Sequence, residues 1–243
     1  MEPTRKKQKT RGSAFCALTP FTTLDWPGML CATVFVSECP WNCPYCHNKN
    51  LAEEEVRPKG EIEQFIDRRQ GLLEGIVFSG GEPTMYEDTV EEMRYARARG
   101  FGVALHTGGP FPGRLAKILR DELVDWVGLD YKAPLRMYSD VTGNLDSACN
   151  FERSLSILQG SKVEFEVRTT LGDDVADEGT VLEMGRQLRE FGVKEWVLQQ
   201  CREGGVSGGF RGRPQTETMQ KWARMVTAEC GIKVRVRSSD SDT

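Results

Sequence analysis

The sequence lacks long apolar runs. No window of its 243 residues approaches the ~18 uninterrupted apolar positions that a membrane helix requires. The first residues are basic and polar with no apolar stretch behind them, so no secretory signal is readable and the cytoplasm is the expected compartment. Cysteine is too sparse for a disulfide scaffold, at eight in this length. No charge of one sign dominates: 32 Lys and Arg stand against 36 Asp and Glu, for a net charge of −4. Arg5, Lys6, Lys7, Lys9 and Arg11 crowd the start against Glu2, which leaves the body net acidic. A net-acidic body argues against nucleic acid as the main partner. Internal linkers and low-complexity segments are also missing. The organisation expected is a disordered basic tail over 1–13, a single domain over 14–237 and a polar tail over 238–243. What is present, 39% hydrophobic and 28% charged residues, is enough for a globular core and excludes wholesale disorder.

Short β-branched apolar runs recur at Leu30–Val36, Gly75–Phe78, Gly102–Leu105, Trp126–Tyr131, Val163–Thr169, Trp196–Leu198 and Ile232–Val236. Runs of this kind suit strands buried on both faces. Between them lie stretches of helical period: Glu61–Leu73, Asp88–Arg99, Gly113–Leu123, Phe151–Leu158, Thr180–Phe191 and Glu217–Glu229. Gly100, Gly160, Gly192 and Gly231 stand where a helix should stop. The alternation predicts an α/β fold with parallel strands, right-handed crossovers and outer helices. Even spacing without a reversal signal favours a barrel or partial barrel over an open doubly wound sheet. The unusual residues fall after strand ends: the cysteines after Val36, Ser79–Pro83 after Phe78, His106–Gly109 after Leu105, Asp130 and Lys132 around the fourth end, Gln199 and Gln200 after Leu198. That carboxyl-terminal edge is where α/β folds build sites.

Three cysteines, Cys39, Cys43 and Cys46, make a C-x3-C-x2-C cluster, and no second CxxC pair occurs. Thiolates bind zinc or iron–sulfur clusters. A structural zinc site is normally closed by four ligands, and His47, adjacent to Cys46, is poorly placed to be the fourth. Three thiolates on a four-iron cube would leave one iron open. Cys16, Cys31, Cys149, Cys201 and Cys230 read as small buried hydrophobes.

C-x3-C-x2-C with Tyr45 before the last cysteine, followed by the Ser79-Gly80-Gly81-Glu82-Pro83 turn, resembles the radical S-adenosylmethionine (radical SAM) superfamily, whose members are (β/α)6-type partial barrels. Leu18–Gly28, Cys46–Asn48, Phe78–Pro83 and Leu129–Lys132 narrow the resemblance to glycyl-radical-enzyme activases, closest to the full-barrel type of anaerobic ribonucleoside-triphosphate reductase activating protein, from about Leu18 to Arg202. The resemblance implies one 4Fe–4S cluster on Cys39, Cys43 and Cys46, with SAM on the open iron. It implies SAM contacts from Tyr45, the turn Ser79, Gly80, Gly81 and Glu82, then Thr107, Asp130 and Lys132, with Arg168 and Gln199 or Gln200 as further candidates. No protein side chain is assigned as catalytic. The implied reaction is reductive cleavage of SAM to a 5′-deoxyadenosyl radical and formation of a glycyl radical on a partner enzyme, anaerobic ribonucleotide reductase. A flavodoxin- or ferredoxin-type reductant would serve it, and Asp25 and Gly28 would meet the partner's loop. His106 and Gly128 depart from pyruvate formate-lyase activase, where other residues form a monovalent-cation site. Residues 49–74 contain no cysteine, so no second cluster is expected. Two alternatives stand beside this reading: a radical SAM enzyme for a small molecule, similar to deazapurine (7-carboxy-7-deazaguanine) synthases, and a zinc-stabilised binding module.

Overall fold

In the computed structural model, residues 15–46, 48–52, 54–172, 175–201 and 214–238 are described. The expected tails, apart from Ser238, and His47 lie outside those residues. Eight strands form one sheet in chain order: Phe15–Thr22 (β1), Cys31–Val36 (β2), Gly75–Gly80 (β3), Gly102–Thr107 (β4), Trp126–Asp130 (β5), Glu164–Leu171 (β6), Glu195–Gln200 (β7) and Lys233–Arg237 (β8). Strands β2 to β8 run parallel in register. Each crossover is helical: Lys59–Arg68 (α1), Glu87–Ala98 (α2), Pro112–Arg120 (α3), Tyr138–Thr142 (α4) with Ser147–Gln159 (α5), Glu178–Glu190 (α6) and Thr216–Cys230 (α7). The sheet order ends at β1 and β8 without pairing them, so the barrel is partial and unclosed, as the strand–helix rhythm predicts.

Strand β1 is an addition to that expectation. It pairs antiparallel with β2, and its register shifts between Thr19 and Thr22. Pro20 falls within the shift, and an edge strand is where a residue without a ladder donor is tolerated. That proline, and the exposed Phe21 beside it, hide the strand from a pattern search.

Period two divides the sheet's side chains between two cores. Val34, Ile76, Phe78, Val103, Leu105, Val127, Leu129, Val167, Trp196 and Leu198 point outward and pack with the helices in the main core. The concave face buries a smaller apolar group: Cys31, Val77, Ala104 and Trp126, with Trp26 laid across them. Trp26 stacks on Trp126 at 6.5 Å between centroids. It lies on bare backbone, since a Cβ at Gly75 would stand 2.8 Å from its ring and one at Gly102 3.0 Å. Those glycines open β3 and β4, so Trp26 seats at the amino-terminal end of the barrel. The carboxyl-terminal half of the concave face is left to polar residues.

Four of the five scattered cysteines, Cys16, Cys31, Cys201 and Cys230, are buried as expected. Cys149 is exposed, against expectation. It lies two residues before Phe151 on α5, and two residues turn a helix through roughly 200°, away from the face that buries Phe151, Leu155 and Leu158.

Candidate functional site: a cysteine-lined cavity at the carboxyl rim

Thirteen residues named from the sequence converge on one cavity: Cys39, Cys43, Tyr45, Cys46, Ser79, Gly80, Gly81, Glu82, Thr107, Asp130, Lys132, Arg168 and Gln199 all line it. Asp25 and Gly28 do not. They lie on the segment joining β1 to β2. Gly28 is exposed, and the Asp25 carboxylate accepts a hydrogen bond from Thr33 at 2.6 Å. Gln200 turns away and donates to the Pro214 carbonyl at 2.9 Å. Trp41, Asn48, His106, Gly108 and Thr170 complete the wall and were not singled out from the sequence as site residues.

The cysteine loop leaves β2 at Val36 and is fastened on several sides. The Trp41 backbone N–H donates to Cys39 Sγ at 3.4 Å, and the Cys46 N–H to the Cys43 carbonyl at 3.2 Å. Tyr45, 4% exposed, donates its hydroxyl to the Lys132 carbonyl at 3.0 Å, which ties the loop to the end of β5. Asn48 donates to the Gly80 carbonyl at 2.6 Å. Cys39 is open to the cavity, Cys43 is buried and Cys46 lies between them. Desolvation, with the Glu82 charge behind it, pushes the Cys39 thiol up to about 12; desolvation also raises Cys43, with Lys132 opposing it. Clustered thiols of this kind stay protonated until a cationic centre displaces their protons.

The glycines of the Ser79–Pro83 turn have a packing role beside the ligand approach expected from the sequence. The Gly81 N–H donates to the Val36 carbonyl and the Glu82 N–H to the Glu38 carbonyl, both at 2.8 Å. A Cβ at Gly81 would stand 2.1 Å from the Glu38 carbonyl oxygen. One at Gly80, where φ is +108°, would stand 2.5 Å from the Val36 backbone. The missing side chains let the turn dock on the cysteine loop. Gly81→Ala should therefore force the two loops apart, at a cost of about 1–3 kcal/mol or more. Thermal unfolding of the cluster-free protein, compared with wild type, checks this; an unchanged midpoint would refute it.

Glu82 is 1% exposed, and both its oxygens are engaged. Oε1 accepts from the Thr84 N–H at 3.0 Å, the Thr84 hydroxyl at 2.5 Å and the Thr107 hydroxyl at 2.8 Å; Oε2 accepts from the Gly108 N–H at 3.1 Å. Its burial raises the carboxyl pKa, and these four donors pull the other way. Glu82 thus joins the turn after β3 to the turn after β4. Thr107 is spent similarly, donating to Glu82 and accepting from the Gly109 N–H at 2.9 Å.

In the same cavity, Asp130 accepts from Arg168 Nε at 2.5 Å and Lys132 Nζ at 2.8 Å. Burial alone would raise the Asp130 carboxyl, but the two cations hold it well below the usual carboxylate range. Asp130 in turn more than offsets burial for Lys132 and holds its ammonium charged. Arg168 has room because residue 128 is glycine: a Cβ there would stand 2.8 Å from Nη1. Two cations against one carboxylate leave this wall with one positive charge in excess.

His106, on the concave face of β4, is buried in a T-shaped contact with Trp126. Burial, then the Arg168 charge, lowers its pKa from 6.5 to about 3. The unfolded chain therefore takes up a proton that the folded chain refuses, and stability falls as pH drops from about 6.5 toward 3. Between pH 7 and 5 the loss should be roughly 2 kcal/mol, at up to 1.4 kcal/mol per pH unit. Urea unfolding at the two pH values measures it, and His106→Gln should flatten the dependence.

The donor set suits a cluster cofactor. The three thiols line this one cavity, and among the described residues no group of three or more His, Cys, Asp or Glu side chains is arranged around a single ion. Cys39, Cys43 and Cys46 line one cavity with Lys132 and Arg168, and thiolates are the ligands such a cluster takes. A partial barrel of mostly parallel strands with a cysteine-lined cavity at its carboxyl rim is an α/β fold able to hold such a cofactor. The sequence profile of the Radical SAM superfamily matches residues 33–185, and the chain belongs to that superfamily. Its cofactors are a 4Fe–4S cluster and SAM.

Two relatives and one structure set the range. A protein of Methanocaldococcus jannaschii named as a glycyl-radical enzyme activating enzyme is 29% identical over 188 residues, 75% of this chain and 78% of that one. A protein of Pyrococcus abyssi named as a GTP 3′,8-cyclase is 28% identical over 144 residues, 56% of this chain and 47% of that one. The structure of Streptococcus suis SuiB bound to its precursor peptide SuiA superposes with a TM-score of 0.67 at 11% identity, over 84% of this chain and 47% of SuiB, and shares the fold. The chain spans about half the length of that neighbour. No helix among the described residues is long and apolar enough to cross a membrane.

Proposed function

We propose that this radical SAM enzyme is an oxidoreductase that activates a glycyl-radical enzyme, with anaerobic ribonucleoside-triphosphate reductase as the partner. The observation that carries the reading is one cavity lined together by the three cysteines, the Ser79 turn and the Asp130–Lys132–Arg168 group. Together, the bound cluster and SAM supply the one-electron chemistry that ends as a radical on a glycine of the partner. Cys39, Cys43 and Cys46 hold three corners of the cluster. The Ser79 hydroxyl and the backbone of Gly80 and Gly81 take the amino group of SAM. Lys132 and Arg168, in excess over Asp130, draw its carboxylate. Tyr45 fixes the loop against the Lys132 carbonyl. Glu82 and Thr107 brace the rim while lining the SAM site, and Gln199 lines it as well. Asp25 and Gly28 lie on the segment offered to the partner's loop.

The relative named as an activating enzyme, matched over most of both chains, supports this reading. The relative named as a GTP cyclase favours a second one, a small purine-type substrate, over a shorter stretch. Incubation of anaerobically reconstituted protein with SAM, a flavodoxin- or ferredoxin-type reductant and the candidate reductase separates them. A glycyl-radical EPR doublet on the partner supports activation. SAM cleavage that yields no doublet, but consumes a purine nucleotide, would overturn it.

A further inference from the structure

His106 sits between two groups that the site has so far left unconnected. Its Nε2 lies 2.7 Å from the backbone carbonyl of Asp25, 81 positions earlier in the chain. Its Nδ1 lies 3.3 Å from the Ser79 hydroxyl. A carbonyl oxygen can only accept, so Nε2 must carry a proton. Arg168, Asp25 and Asp130 are the charged groups facing the ring; Arg168 opposes a second proton, the two aspartates favour one, and burial decides for the neutral form. A neutral imidazole protonated at Nε2 has a bare Nδ1, which accepts. The Ser79 hydroxyl hydrogen therefore points at the ring, and the lone pairs of Oγ are left for the cavity that Ser79 lines.

We propose that His106 is a positioning residue that fixes the Ser79 hydroxyl as a hydrogen-bond acceptor for the amino group of SAM and couples it to the Asp25–Trp26 segment. The coupling rests on the reading of Ser79 as a SAM contact. The amino group of bound SAM offers N–H donors, so a hydroxyl free to rotate would spend part of its time presenting the wrong end. The far end of the relay is rigid. Asp25 is held by Thr33 through its carboxylate, and the neighbouring Trp26 is wedged on Gly75 and Gly102 and stacked on Trp126. The Trp126 and His106 rings also pack edge-to-face, with centroids 5.8 Å apart. A displacement of the segment joining β1 to β2 would therefore reach the SAM-binding turn through two hydrogen bonds.

The chain has two histidines, so a 15N-histidine spectrum of the cluster-free protein reports the ring directly. The resonances lost in His106→Gln belong to His106. The expected result is one tautomer, Nε2 protonated and Nδ1 bare, unchanged across about pH 5 to 8, where an ordinary imidazole titrates. The opposite tautomer, or an imidazolium, would overturn the proposal.

SAM affinity of the cluster-loaded protein, measured by equilibrium dialysis, tests the consequence. Glutamine can still donate to the Asp25 carbonyl but offers Ser79 no acceptor at the Nδ1 position; asparagine places an amide near that position. Ser79→Ala and His106→Gln should each weaken SAM binding about tenfold, as expected for one hydrogen bond to a charged group. The double variant should be no weaker than either, and His106→Asn should stay nearer wild type. A His106→Gln protein that binds SAM like wild type, or losses that multiply in the double variant, would sink the proposal. Loaded wild-type protein that bound no SAM would instead remove the reading of the cavity, with the tautomer still decided by the spectrum.

Discussion

Cys43→Ala yields a folded protein that neither retains a four-iron cluster nor cleaves SAM. Cys43 is 6% exposed and packs with Trp41 and Tyr45 at the edge of the main core, so alanine there removes one sulfur atom's contacts and no hydrogen bond that shapes the loop through a side chain. A small buried truncation of this kind costs about 1 kcal/mol, which lowers Tm by roughly 2–4 °C in a domain of this size. The consequence for the cofactor is much larger. On the proposed reading that three thiols hold the cluster, alanine would leave it two protein ligands. Losing an outer-shell partner of a metal site already costs about 10–100-fold, and losing a ligand should exceed that. Iron and acid-labile sulfide after anaerobic reconstitution, and 5′-deoxyadenosine released from SAM, measure the two losses. Cys149→Ala is the control, because Cys149 is exposed on α5 and should load and cleave like wild type. Full loading and undiminished cleavage in Cys43→Ala would remove that residue from the ligand set.

The strand–helix rhythm was legible because each parallel strand is a short apolar run closed by a change of residue type, as Gly75–Phe78 is closed by Ser79 and Gly80. The convergence of the strand-end residues was legible for the same reason: parallel strands in register deliver their carboxyl ends to one rim. The use made of those residues was not. Nothing local to Glu82 reveals that its oxygens would meet Thr107 and Gly108, which only the register of β3 with β4 brings alongside. The reason for Gly81 is likewise non-local, being the carbonyl of Glu38. His106 could have been placed on the concave face by counting twos from Gly102 and Ala104. Its bond to Asp25 joins positions that no short-range pattern relates. Cys149 was open to correction from the helical period alone.

Asp130→Asn should be the most damaging conservative change at the rim. Asparagine keeps the shape of the side chain and removes its charge, so Arg168 and Lys132 are left facing each other without their common partner. Arg168 is 9% exposed at its side chain and Lys132 18%, so water can do little to screen either one. Removing one member of a buried ion pair costs about 3–5 kcal/mol, most of it from stranding the other. In a domain of this size that is a Tm loss of order 10 °C. If stranding is the cause, taking away the stranded charge should return much of the loss, and Asp130→Asn/Arg168→Met should be more stable than Asp130→Asn alone. Acid should imitate the mutation. The folded carboxyl sits below its unfolded value of 3.8, so its contribution is present above that value and drains away as pH falls further. Wild type and Asp130→Asn should therefore converge in stability at strongly acid pH and differ by a constant, full amount above about pH 4–5. Parallel urea curves at pH 7, with equal midpoints for the two proteins, would show that the triad does not hold the rim, and the excess positive charge in the cysteine-lined cavity would then be free to move.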